Sequence, residues 1–153
     1  MGQQQTLLLI LGIILIGIAS GISYTIISAY ALQVERDEIH NEIRIIAADA
    51  YQYKNSSAYI DANNNVYNVN GEYTGYQIPL KMQKTIFATY SITIQIKDSM
   101  TLGYDYTLDK PIRKYITSGM IQAKSNKDTV NKIFVELDYN GKLKNFVYQG
   151  EFH

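Results

Sequence analysis

Apolar and polar positions divide the chain into two regimes. From Met1 to Val34 there is no charged side chain, and then Glu35, Arg36, Asp37 and Glu38 arrive together. The apolar run from Thr6 to Leu32, roughly 27 residues, exceeds the ~20 that a helix needs to cross a hydrocarbon core. Beyond Leu32 the pattern stays helical but turns one-sided: Ile39, Ile43, Ile46, Ala47 and Ala50 recur at intervals of three and four, and Tyr53 extends the stripe. Glu35, Glu38, Glu42 and Asp49 lie mostly off it. After Gly21 no glycine or proline interrupts until Gly71. One helix is therefore expected from the Gln3 region to about Tyr53, on the order of 75 Å long at the α-helical rise. Its first half is apolar all round, and its second half has a stripe to bury.

The rest of the chain supplies a partner for that stripe. Tyr90, Ile92, Ile94 and Ile96 alternate with Ser91, Thr93, Gln95 and Lys97, and Met100, Leu102, Tyr104, Tyr106 and Leu108 continue the alternation. Two strands joined through Asp98-Ser99 are expected from this pattern. Ile133 to Tyr139 and Lys142 to Gln149 flank Asn140-Gly141, which predicts a second hairpin with a type I′ turn. Tyr115 to Ala123 adds a strand between the two. Ala58 to Tyr76, rich in Asn, Gly and Tyr, reads as loop or short irregular strands, and one helical turn is expected after Pro79. The fold class is thus α+β, a long N-terminal helix on a C-terminal antiparallel sheet with one face covered and the other wet. The expected division is 1–32, the hydrophobic helix, and 33–153, the amphipathic half-helix with the β-rich globular part.

A cleaved secretory signal is a poor match to the start of the chain. It requires a basic leader and an apolar stretch of about 7 to 15 residues. The leader here is Met-Gly-Gln-Gln-Gln and the run is longer, although Ala19-Ser20-Gly21 is small enough for a cleavage site. The helix is expected to persist in the mature protein, as an anchor or as an assembly element.

Composition removes several classes. There is no cysteine, so disulfides, cysteine zinc sites and c-type haem attachment are excluded. Fourteen acidic side chains balance fourteen basic ones, and the late cations Lys110, Arg113, Lys114, Lys124, Lys127, Lys142 and Lys144 are followed or interleaved by Asp128, Glu136 and Asp138. Nucleic-acid binding is not indicated. The acidic helix and the basic C-terminal region either face each other between subunits or remain two solvated surfaces. His40 and His153 have no nucleophile signature around them, so no enzyme and no cofactor are expected.

Four local patterns remain. Gly17 and Gly21 form a G-x-x-x-G pair, which with Gly12 either allows close helix approach or loosens the helix. Gln3, Gln4 and Gln5 carry amides that, brought together from neighbouring helices, are expected to satisfy one another or the terminal amine, the alternative being a plain polar cap at the cytoplasmic membrane surface. Asp61, Asn63, Asn65, Tyr67 and Glu72 occupy calcium-loop positions, but Val66 stands where that loop needs glycine, so an Asn-rich surface turn is the default and no metal is favoured. Asn55-Ser56-Ser57 is a glycosylation triplet of a kind common by chance. The fourteen tyrosines, including Tyr51, Tyr53, Tyr104, Tyr106, Tyr115, Tyr139 and Tyr148, read as strand and packing residues.

An apolar-then-amphipathic N-terminal helix capped by an antiparallel sheet resembles the type IV pilin superfamily, over the whole chain in architecture. Family precursors are cut after a glycine, and in some members glutamine follows, so Gly2-Gln3 is the matching junction. Many members carry a glutamate at the fifth mature position; counted from Gln3, this chain has Leu7 there. The resemblance implies a structural subunit that inserts in the cytoplasmic membrane and then self-associates, through the segment from Leu7 to Leu32, into a helical filament of identical subunits on the cell surface. A single-span anchored protein with an extracytoplasmic binding domain, or a secretion-system pseudopilin, is the alternative.

Overall fold

The computed structural model describes residues 2–56, 59–60, 66–67, 72–105 and 110–152, with backbone alone for 59–60, 66–67, 98–105 and 110–115. It is an α+β fold in which a long N-terminal helix meets a four-stranded antiparallel sheet. Helix α1 runs from Gln3 to Asn55, 53 residues without a break, as expected from the absence of proline and of glycine beyond Gly21. The chain divides into two units, Met1–Arg36 and Asp37–His153.

Within the second unit the stripe does what its spacing demands: Ile39, Ile43, Ile46, Ala47 and Ala50 are all buried, and Tyr53 is half-buried. The acidic residues of this stretch are less peripheral than the pattern implied. Glu35 is buried, and Glu42 and Asp49 are half-buried. The last two are held by hydroxyl groups, which the apolar spacing does not reveal.

Two two-residue strands, β1 (Tyr59–Ile60) and β2 (Val66–Tyr67), pair with each other. The expected turn of helix after Pro79 is α2, Leu80–Gln83, closed by Met82 N–H donating to the Pro79 carbonyl at 2.7 Å. The main sheet is a meander of β3 (Ala88–Asp105), β4 (Lys110–Ser125), β5 (Lys132–Leu137) and β6 (Leu143–Gln149), ending in a 3-10 turn at Gly150–Phe152. Ile92, Ile121 and Val135 share one inward row, and Tyr90, Ala123, Ile133 and Tyr148 the next. Strand β5 alternates strictly between half-buried and buried side chains, the mark of a sheet with one covered face.

Two hairpin expectations need correction. Asp98-Ser99 is not a turn: β3 continues through it as one strand of 18 residues paired with β4. The register slips between Ile96 and Asp98, and again between Thr101 and Gly103. Such bulges absorb an extra residue while keeping the ladder, whereas a two-residue hairpin turn wants positive φ that a glycine usually supplies, and Asp98-Ser99 has no glycine. The Asn140-Gly141 hairpin exists, but its turn is not the two-residue type. Asp138 N–H donates to the Lys142 carbonyl at 2.9 Å and Gly141 N–H to the Asp138 carbonyl at 3.0 Å, a three-residue loop with Gly141 alone at positive φ (78°). Asp138 sets this register, because its Oδ1 accepts the N–H groups of Asn140 (2.8 Å) and Lys142 (2.9 Å).

Candidate membrane and assembly surface

Every residue from Gly2 to Leu11 and from Ile13 to Ala31 is exposed, from Leu7 (69 %) to Tyr30 (68 %). The apolar stretch is long enough to cross a membrane by length and composition, and no part of its most apolar window is buried. A helix apolar on all sides has no stable place in water; it belongs in lipid or among other helices.

Five hydroxyl side chains of this stretch are satisfied within the helix. Thr6 Oγ1 donates to the Gly2 carbonyl, Ser20 Oγ to Ile16, Ser23 Oγ to Ala19 and Thr25 Oγ1 to Ile22, each at 2.8 Å, while Ser28 Oγ reaches Thr25 at 3.0 Å. A hydroxyl bonded to the preceding turn carries little unpaired polarity into an apolar medium. The apolar periodicity does not show this pattern, whose signal is the use of Ser and Thr, with no Asn or Gln, between Thr6 and Leu32. Gln3, Gln4 and Gln5 form the exposed first turn.

Gly12, Gly17 and Gly21 have open space where a side chain would be. No contact within the chain requires a glycine at any of them, yet each costs about 1 kcal/mol against alanine in a helix interior. Leu7, at the position the resemblance singles out, is an exposed apolar residue like its neighbours.

In the second unit, three polar clips hold α1 to the β-rich part. Tyr90 Oη donates to Glu42 Oε2, which also accepts Thr85 Oγ1 at 2.8 Å. Tyr76 Oη donates to Asp49 Oδ2 at 2.8 Å. Burial, reinforced by the carboxylate that each bonds, raises the pKa of both phenols well above the ordinary tyrosine value. The third clip is Lys54, in the last turn of α1 and only 5 % exposed. Its Nζ bonds the Tyr139 carbonyl and lies over three rings, 3.2 Å from the centroid of Tyr139, 5.5 Å from Tyr73 and 5.6 Å from Tyr51. Burying an ammonium is tolerable because a carbonyl and three π-faces replace its water. Burial first, and then the Asp138 charge, pushes the Tyr73 hydroxyl up to about 12. Tyr51 closes the cage against the hairpin turn, where a Cβ on Gly141 would lie 2.5 Å from the Tyr51 ring. His40 stacks on Phe146 at 4.9 Å and lies 3.1 Å from the Tyr148 hydroxyl.

Of the calcium-loop candidates, Asp61, Asn63 and Asn65 lie outside the described residues. Glu72 is buried and accepts Thr74 Oγ1 at 3.1 Å. Among the described residues no three His, Asp or Glu side chains gather as metal ligands. Asn55 is exposed at the end of α1.

The fold therefore defines a class: a β-rich unit carrying one apolar helix fit to span a membrane. No known family, no curated protein and no solved structure matches the chain.

Proposed function

We propose that this protein is the structural subunit of an extracellular filament of type IV pilus-like construction, inserted in the membrane by the first half of α1 and assembled through it. One observation carries the reading: a single unbroken helix is apolar and exposed on all sides in its first half and buried by a sheet in its second. An anchor accounts for the length and hydropathy. It gives no reason for three glycines in open space, each of which weakens the helix. Close approach of neighbouring helices does, because small residues let backbones meet where no hydrophobic force drives association.

In this reading Gln3 to Leu32 is the common core of the polymer and the β-rich part coats it. Gly2-Gln3 is the processing junction, Gln3, Gln4 and Gln5 pair their amides with neighbouring subunits, and the membrane holds the chain before assembly. No cofactor is called for.

Negative-stain microscopy of material sheared from expressing cells tests the proposal. Fibres that vanish with deletion of the gene and bind antibody to the β-rich part are the expected result. Surface-displayed protein without fibres returns the helix to a plain anchor. Mass spectrometry of the mature chain then decides the junction, with Gln3 as the first residue expected and an intact Met1 removing that step alone.

A further inference from the structure

The end of the sheet where β3 begins, β4 ends and β5 begins carries apolar side chains in places that ordinarily hold polar ones. Ile86 and Phe87 form a two-residue loop, closed by Thr85 N–H donating to the Ala88 carbonyl at 2.9 Å and by Ala88 N–H donating to Thr85 Oγ1 at 3.2 Å. Loop tips favour Gly, Asn, Asp or Ser. Here Ile86 stands at the tip 86 % exposed, and Leu80, at the start of α2, is 85 % exposed. Both are more exposed than any large apolar side chain of α1, its apolar half included. The β4–β5 turn is stitched alongside them. Asn126 N–H donates to the Phe87 carbonyl at 2.9 Å and Asn126 Nδ2 to the Thr85 carbonyl at 2.8 Å, and the same turn exposes Val130.

Charge surrounds these tips. Segments 79–87 and 124–132 hold Lys81, Lys84, Lys124, Lys127 and Lys132 against a single carboxylate, Asp128, whose Oδ1 accepts the Val130 N–H at 3.0 Å. Lys81, Lys84 and Lys124 are exposed and enter no ion pair among the described residues. Apolar tips ringed by lysines suit the boundary of an anionic bilayer, where the tips reach the acyl chains and the ammonium groups stay among the phosphates. A bilayer is also the partner that the chain brings with it. Thr85 Oγ1 donates to Glu42 Oε2 at 2.8 Å, and Glu42 follows Leu32, where the apolar run ends, by about 15 Å of helical rise. Asp37 and Glu38 are exposed on α1 ahead of Glu42, so the attraction belongs to the loops alone. We infer that 79–87 and 124–132 form a peripheral lipid-binding surface, with Ile86 and Leu80 entering the headgroup boundary and the lysines paired with anionic phospholipid. The inference rests on membrane insertion of α1 and not on the filament.

The chain has no tryptophan, so a single introduced indole reports its own surroundings. Full-length Ile86→Trp, and separately Leu80→Trp, is reconstituted into vesicles of phosphatidylcholine with or without phosphatidylglycerol, part of the lipid brominated near the headgroup end of its chains. Thr93→Trp, exposed on the four-stranded part of β3, is the control. In anionic vesicles, quenching of both loop indoles is expected to be roughly twofold or more that of the control, with emission shifted to the blue. Lys81→Glu with Lys84→Glu should lower the docked-to-free ratio about thirtyfold, at ~fivefold per lysine, and so return quenching to the control level. Quenching at the control level in both loop variants, or unchanged by neutral lipid and by charge reversal, overturns the proposal. An indole shielded from aqueous iodide yet untouched by bromolipid is covered by protein, which overturns the lipid assignment. Flotation separates this surface from the span: a chain that floats with the vesicles but shows no loop quenching leaves membrane insertion standing, and a chain that does not float removes both.

Discussion

At the residue scale, the second half of α1 is attached to the β-rich part by side chains that carry opposite risks. Lys54 is a buried cation whose water is replaced by the Tyr139 carbonyl and three aromatic faces. Lys54→Met keeps the stem and removes the ammonium, so it should lower stability by about 1–2 kcal/mol, the combined scale of one charged hydrogen bond and a desolvated cation–π contact. Urea unfolding followed by tyrosine fluorescence measures it, and an unchanged midpoint would make the cage ornamental. The tyrosines respond to alkali. Their neutral forms are favoured in the native state, with Tyr73 pushed up to about 12 by burial and Tyr76 and Tyr90 also raised. An unfolded tyrosine ionises near ~10, so between roughly pH 10 and 12 the unfolded chain has released protons that the native chain still holds. Stability from these groups is complete below that window and falls as pH rises through it. Unfolding midpoints should be flat up to about pH 9 and then decline, with a shallower decline in Tyr73→Phe. Little of this was legible beforehand, because apolar periodicity marks Ile39, Ile43 and Ile46 but is silent on which tyrosine hydroxyl will face which carboxylate.

At the element scale, the helix was legible from end to end because its signals agree: no breaker after Gly21, a stripe at three-and-four spacing, and no competing turn chemistry until residue 56. The strands were legible in place, but one of them was read as two, and the turns were not legible. A bulge is invisible to alternation counting, since the even-numbered apolar residues continue on both sides of Asp98-Ser99 while the ladder slips. The hairpin at Gly141 was placed correctly and mistyped, because the side chain of Asp138, outside the Asn-Gly pair, decides the loop length. The surface of α1 offers the sharpest test at this scale. Gly17→Leu with Gly21→Leu keeps the segment apolar and restores helix propensity, so membrane insertion and the fold of the β-rich part should be unchanged. If helices meet at these positions, added side chains hold them apart and shed filaments should be lost. Wild-type filaments from the double variant would move the interface to another face.

At the scale of the whole molecule, the two units answer to different solvents. Among the described residues, all the buried apolar side chains lie between Ile39 and Phe152. None of the stretch through Ala31 contributes to that core, and its Ser and Thr hydroxyls from Thr6 onward bond to their own helix. Removing residues 1–36 should therefore leave a chain that is soluble and unfolds cooperatively, with helical signal from Asp37–Asn55 retained, because the buried apolar residues of α1, Ile39 to Ala50, are kept although buried Glu35 is lost. Its stability should lie within about 1 kcal/mol of the β-rich part in the full-length protein, the scale of exchanging a helix interior for a fraying end. Circular dichroism with a urea melt reads both quantities. Melting without a cooperative transition would mean that the apolar half of α1 nucleates or braces the rest, and the separation of tasks along the helix would be wrong. Sedimentation of the same truncated chain tests where self-association resides: without the apolar half of α1 it should run as a monomer, because the close helix approach proposed at Gly12, Gly17 and Gly21 has been removed with it.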